Sequence, residues 1–257
     1  MNRHARQLFY FGWGSVGPLA NPFAQAIAIL AKYGGSLYVG GTQYVALGSD
    51  GTGSVADGGS VGYMRDLVGT RHATQATTAR KPLLQLSGGK CGVKFDASDD
   101  ALLTGALTNA TAETFGIVYT APATAAAAQY PISRRNAAGS TGSAIYINNV
   151  NYTLNFINAG GAVAAGAVVA AGVTAVASVV GKVGSVAMRV NGTDGTPVTY
   201  GTYTASTNAL ALGNSTDLAR VFGGTIHAAY YAPAEISNAD RVALDRLLGK
   251  IYGVTVA

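Results

Sequence analysis

Carboxylates are the side chains best placed to do chemistry in this chain, and they are sparse. The only glutamates are Glu113 and Glu235, and neither has an acidic neighbour at strand spacing. Retaining glycoside hydrolysis needs an acid and a nucleophile about 5 Å apart. No such pair is evident here, so no catalytic residue and no enzymatic activity are expected. Asp96, Asp99 and Asp100 fall within five residues. They are the only metal candidates, since Ca²⁺ collects several oxygen ligands. A turn in which Asp and Ser cap backbone N–H groups explains the same residues without an ion, and the expectation is no metal and no cofactor. Arg134 and Arg135, two adjacent cations at a strand's end, are predicted to lie on a loop between strands. Tyr146, Tyr152 and Tyr200 lie on strand-like runs. These five are the candidates for glycan contact, because sugar sites combine aromatic faces with polar companions.

Two glycine motifs carry no chemistry. Residues 12–17 have dinucleotide-loop spacing, but Pro18 follows where a helix should begin. Gly58-Gly-Ser-Val-Gly62 spells a nucleophile elbow, yet a loop precedes it and His4, His72 and His227 stand in no triad context. The lone Cys91 excludes an internal disulfide framework.

The elements that must position these residues are mainly strands. Charged residues are 11% of 257 and glycines number 35, a composition suited to short strands and tight turns. The net charge of +5 is scattered without aromatic interleaving, so nucleic acid is not an expected partner. Residues 159–181 are uncharged, but Ala, Gly, Val and Thr suit two paired strands turning near Ala171-Gly172 better than a membrane span. The apolar N-terminus is broken by glycine and proline, so no secretory leader is expected.

Residues 36–47 read as a first strand pair, and residues 114–120, 143–148, 152–157 and 198–203 as further strands. Thr225 to Ala232 reads as a last strand, ended by Pro233. Ser237 then caps a helix with Val242, Leu244, Leu247, Leu248 and Ile251 on one stripe and Gly253 as its stop. Residues 1–35 differ. Phe9, Tyr10, Phe11 and Trp13 are followed by a helix from Asn21-Pro22 that carries Phe23, Ile27 and Leu30. These seven are expected to form an assembly interface on an arm reaching away from a single domain over residues 36–257.

From residue 61 onward the motifs take on a family likeness. Asp66-Leu-Val-Gly-Thr-Arg-His-Ala-Thr-Gln75, Gly92-Val-Lys-Phe-Asp-Ala-Ser-Asp-Asp-Ala-Leu102, Ala187-Met-Arg-Val-Asn-Gly192, Leu210-Ala-Leu-Gly213 and Phe222-Gly-Gly-Thr-Ile226 occur in that order. In this the chain resembles the laminin-G-like, concanavalin A-like domains common in tailed-phage and bacterial surface proteins. It departs at Val68, where a small polar residue is usual, and at Ala97, where glycine is. The resemblance implies an all-β fold: a two-sheet antiparallel jelly-roll sandwich with one C-terminal helix and a short N-terminal helical arm.

It further implies a non-catalytic structural protein of a bacteriophage virion, in capsid decoration or the tail, assembled in the host cytoplasm. Such a protein would dock other virion proteins through its arm, form a homo-oligomer, and present the sandwich to bacterial surface glycans without touching nucleic acid or membrane. The rival expectation is a bacterial carbohydrate-binding module acting as a soluble monomer.

Overall fold

The structure is a computed structural model that describes residues 21–257 except 88, 125–126, 137–140, 160, 162 and 205. Two antiparallel sheets face each other. The first holds β1 (Ser36–Val39), β5 (Leu83–Ser87), β6 (Lys90–Lys94), β8 (Ala112–Thr120), β13 (Thr174–Lys182), β15 (Arg189–Val190), β16 (Thr193–Asp194) and β19 (Thr225–Ala232). The second holds β2 (Val45–Ala46), β3 (Tyr63–Met64), β4 (Ala73–Thr74), β7 (Leu102–Ala106), β9 (Gln129–Ser133), β10 (Ser143–Ile147), β11 (Thr153–Asn158), β12 (Val163–Val168) and β18 (Ala209–Leu212). A small ribbon pairs β14 (Gly184–Val186) with β17 (Val198–Tyr200), and the helices are α1 (Pro22–Lys32) and α2 (Asn238–Tyr252).

Alternation along the central strands builds two cores. Phe115, Ile117 and Tyr119 of β8 point between the sheets, where they meet Phe95, Phe156, Phe222 and Tyr231. Val118, Val176 and Tyr230 point the other way, under Leu30 of α1 and Leu244 and Leu248 of α2. Burying a leucine of this kind stabilises by roughly 1.5–3 kcal/mol. Gly116 is required beneath the helix layer, since a Cβ there would lie 1.9 Å from the Tyr230 ring.

The helix signals act as their residues dictate. The Asn21 side chain accepts the Phe23 N–H, and Pro22 fills the first turn. Ser237 accepts the Asp240 N–H, and Gly253 closes α2 at φ 65°. Asp240 also ties the helices together, accepting from the Tyr33 hydroxyl at 2.8 Å and lying 3.5 Å from Lys32.

Three expectations about organisation need correction. Residues 36–47 are not a strand pair: β1 pairs β19, while β2 pairs β3. Residues 159–181 do hold two strands, but β12 pairs β11 and β13 pairs β8. The turn at Gly172 (φ 73°) therefore carries the chain from one sheet to the other. The N-terminal helix does not reach away. Ala26 and Leu30 are fully buried in the layer over the first sheet, and Phe23 and Ile27 pack at its margin. Phe9, Tyr10, Phe11 and Trp13 lie outside the described residues.

Candidate functional site

The strands β3 and β4 are two residues each, and the loop joining them is held by its own side chains. Asp66 is 2% exposed. Its carboxylate accepts the backbone N–H groups of Leu37 at 3.1 Å, Val68 at 3.0 Å and Arg71 at 3.2 Å. The charge is thus satisfied by the backbone, as a buried carboxylate requires. His72 Nδ1 lies 3.1 Å from the Asp66 N–H and accepts it. In a neutral imidazole the proton then sits on Nε2, which becomes a donor. Arg71 donates to the Gly34 carbonyl at 2.7 Å, and the Tyr38 hydroxyl donates to the Arg71 carbonyl at 2.6 Å. The loop is pinned to β1 from both sides.

This pinning forms the wall of a cleft. A cavity of about 280 Å³ is lined by Gln43, Tyr44, Gly51, Tyr63, Arg65 and His72 among others. His72 also borders a second cavity of about 250 Å³, with Thr70, Arg71, Gly105 and Thr108. The Tyr63 and His72 rings sit 5.0 Å apart at 42°. Gly51 rests on the phenol end of Tyr63 at φ 84°, and a Cβ there would press within 3.3 Å of the ring. Burial raises the Tyr63 phenol above its ordinary value, opposed by the nearby Arg65 charge and helped by that of Asp66, so the hydroxyl is a donor at neutral pH. Among the described residues, the Gln43 amide, the Tyr63 hydroxyl and the Arg65 guanidinium have no hydrogen-bond partner. Several unspent polar heads around one small cleft suit a hydroxyl-rich ligand better than an apolar one.

Asp96, Asp99 and Asp100 do come together, their carboxylate oxygens lying within 4.8 Å of one another. They stand at the turn between β6 and β7, where Asp100 Oδ2 accepts the Asp96 N–H and Asp96 accepts the Ser98 N–H. Burial, then repulsion from Asp96, lifts Asp100 to about 6. Asp99 faces Arg80 at 3.7 Å. Thr74 opposite Leu103 sets the β4–β7 register, which puts His72 and Asp100 toward opposite ends of this ladder.

The residues expected to touch a glycan separate. Arg134 is fully buried and is no surface cation. Continuing the alternation from Ile132 turns it inward, where its guanidinium pairs with Glu113 and donates to the Tyr231 hydroxyl at 2.7 Å and the carbonyls of Ser206 and Asn208. Tyr200 is likewise core at 4% exposure, packed edge-on to Phe156. Both side chains pack into the space between the sheets, not on an outer face. Arg135 turns the other way and donates to the Tyr130 hydroxyl at 2.9 Å, and Tyr130 lies 5.8 Å from Tyr146. Arg135 and Tyr146 thus meet on one patch. Tyr152 is half-buried at φ 56°, its hydroxyl on the Ala123 carbonyl.

Sequence reasoning missed Tyr63, Arg65 and His72 as a site. The available signal was Asp66 and His72 six apart around Gly69, which in the fold is one self-bonded loop. Glu113 was missed as the partner of Arg134, and nothing local marks that pairing.

No protein-family model matches the sequence, and no curated protein matches it. Solved structures share its fold. A GH54 α-L-arabinofuranosidase soaked with a cyclic sulfate inhibitor aligns over 88% of this chain and 65% of its own, at TM-score 0.63 and 15% identity. The arabinofuranosidase complexed with arabinofuranosyl-α-1,2-xylobiose aligns over the same shares at TM-score 0.64 and 15% identity. Trypanosoma rangeli sialidase aligns over 86% of this chain and 33% of its own, at TM-score 0.55 and 8% identity. This chain therefore spans about a third of the sialidase and less than two thirds of the arabinofuranosidase. At such identities the likeness establishes the sandwich fold. It also overturns two expectations, a non-catalytic virion structural protein and the absence of enzymatic activity: the structures named here that share the sandwich are a sialidase and an arabinofuranosidase, the latter seen with an inhibitor and with an oligosaccharide.

Proposed function

We propose that this chain is the β-sandwich of a carbohydrate-active enzyme and that it meets an extended glycan along the β3–β4–β7 edge of its second sheet. The observation that carries the reading is the cleft around His72, where Gln43, Tyr63 and Arg65 hold unspent polar heads on the fold shared with the arabinofuranosidase. The jelly-roll connectivity and the laminin-G-like resemblance belong to the same reading. The acidic turn supplies the chemistry. Asp100, held to about 6, retains a proton closer to neutrality than an ordinary carboxyl and serves as the acid, with exposed Asp96 as its partner. A pair within 4.8 Å suits retention of configuration, for which carboxyls stand about 5–5.5 Å apart.

The test is a glycan-array screen with the whole chain beside a product-release assay on 4-nitrophenyl α-L-arabinofuranoside and on arabinosylated and sialylated oligosaccharides. Binding that is lost in His72→Asn, with release lost in Asp100→Asn, is the expected result. A chain that binds no glycan and releases no product overturns the reading.

A further inference from the structure

The cleft has a charge that a neutral sugar would leave unused. Arg65 lies in its wall, exposed, and has no carboxylate within ion-pair distance among the described residues. The two carboxylates closest in sequence to the lining are both occupied. Asp66 is buried and spent on three backbone N–H groups. Asp50, beside Gly51, accepts from the Thr52 N–H at 3.0 Å and the Thr52 hydroxyl at 2.7 Å. The other cations nearby are committed to carbonyls, Arg71 to that of Gly34 and Lys81 to that of Leu47 at 2.8 Å. Their donors are spent on the backbone, whereas Arg65 keeps its donors open. Beside it, His72 presents Nε2–H, because Nδ1 is taken by the Asp66 N–H. The Tyr63 hydroxyl is a third donor. Every unspent charged or ring-nitrogen group in the wall therefore donates and none carries negative charge. A guanidinium fork with a neighbouring imidazole N–H is complementary to a group with two or three anionic oxygens.

From this we infer that the cleft selects an acidic sugar, one whose ring carries a carboxylate or a sulfate, with Arg65 binding the anion and His72 Nε2–H orienting it. The inference rests on the glycan-directed reading above and adds the substrate class. A cavity of about 280 Å³ lies just under the usual range of ligand pockets, ~300–1,000 Å³, so the acidic unit is recognised at one position of a longer chain.

Isothermal titration with three probes of equal length tests it: tetragalacturonate, cellotetraose and a heparin-derived tetrasaccharide. Three variants accompany the wild type. Arg65→Gln removes the open cation. His72→Asn keeps an acceptor for the Asp66 N–H and removes Nε2. Arg246→Gln, on the exposed side of α2, controls for bulk charge. The expected result is tighter binding of an anionic probe than of cellotetraose, weakened about tenfold by Arg65→Gln and unchanged by Arg246→Gln. Because the heparin fragment carries uronate carboxylates as well as sulfates, its preference over tetragalacturonate then shows whether sulfate adds to carboxylate recognition. Equal affinity for cellotetraose and both anionic probes overturns the inference and leaves the glycan-directed reading standing. An anionic preference that survives Arg65→Gln, or falls equally with Arg246→Gln, overturns it too. Silence of all three probes together with a silent glycan array removes both.

Discussion

Replacing Glu113 by Gln tests whether the buried ion pair fastens the two sheets. Glu113 sits on β8 of the first sheet, and Arg134 follows β9 of the second; both side chains are wholly excluded from solvent. The carboxylate accepts from Arg134, from the Tyr231 hydroxyl at 2.7 Å and from the Tyr203 hydroxyl at 2.6 Å. Glutamine keeps the volume and part of the acceptor capacity, but it leaves a guanidinium buried without a counter-charge. Breaking one side of a buried pair costs ~3–5 kcal/mol. At roughly 2–4 °C per kcal/mol for a domain of this size, the melting temperature should fall by roughly 6–20 °C. Because Arg134 retains the carbonyls of Ser206, Asn208 and Thr108, the lower half of that range is expected. Adding Arg134→Met removes the uncompensated charge and should recover about half of the loss, the remainder being carbonyls deprived of their donor. Thermal and urea melts of the wild type, both single variants and the double variant complete the cycle. A Glu113→Gln variant within about 1 kcal/mol of wild type, or a double variant worse than the two singles combined, refutes the reasoning.

Two further outcomes follow from the layer over the first sheet. Leu248→Ala, at a fully buried position between α2 and the sheet, should cost ~2–5 kcal/mol in the same urea melts; a melting temperature matching wild type would show that α2 is not part of the core. Asp245, 1% exposed on the inner side of α2, is lifted by burial to about 6, against the hydrogen bond from Ser178 and the charges of Arg241 and Arg189. The folded state therefore binds more protons than the unfolded state between pH about 4 and 6, so this group's contribution to stability is fully present at low pH and is lost as pH rises through that window. The stability of Asp245→Asn relative to wild type should accordingly improve by up to ~3 kcal/mol from pH 4 to pH 7; a difference that stays flat or falls contradicts the assignment.

The parts legible in the sequence are those whose cause is local. Asn21-Pro22, Ser237 and Gly253 cap helices through groups within a few residues, and those helices form where the caps stand. Asn191-Gly192 makes the β15–β16 hairpin because both residues accept positive φ, 50° and 85°. Strand pairing is different. A run of Ala, Gly and Val says that strands exist near residues 163 and 174, but partner choice is settled by distant ladders, so a plausible hairpin proves to be a crossing between sheets.

The candidate site divides along the same line. The acidic turn was visible because its three aspartates are neighbours in sequence. Arg134 was misjudged because two adjacent arginines look like one solvated pair, whereas strand alternation sends one inward to a glutamate 21 residues away and the other outward to Tyr130. His72 is the intermediate case. Its link to Asp66 is local, yet the cleft it borders also needs Gln43 from before β2 and Gly51 from the next loop, which meet it only once β2, β3 and β4 are paired. The short strands place the wall, and the Asp66 loop then fixes the imidazole. With the Asp66 carboxylate buried and its acceptors taken by backbone N–H groups, the charged side chain that this loop leaves open to a ligand in the cleft is the Arg65 guanidinium.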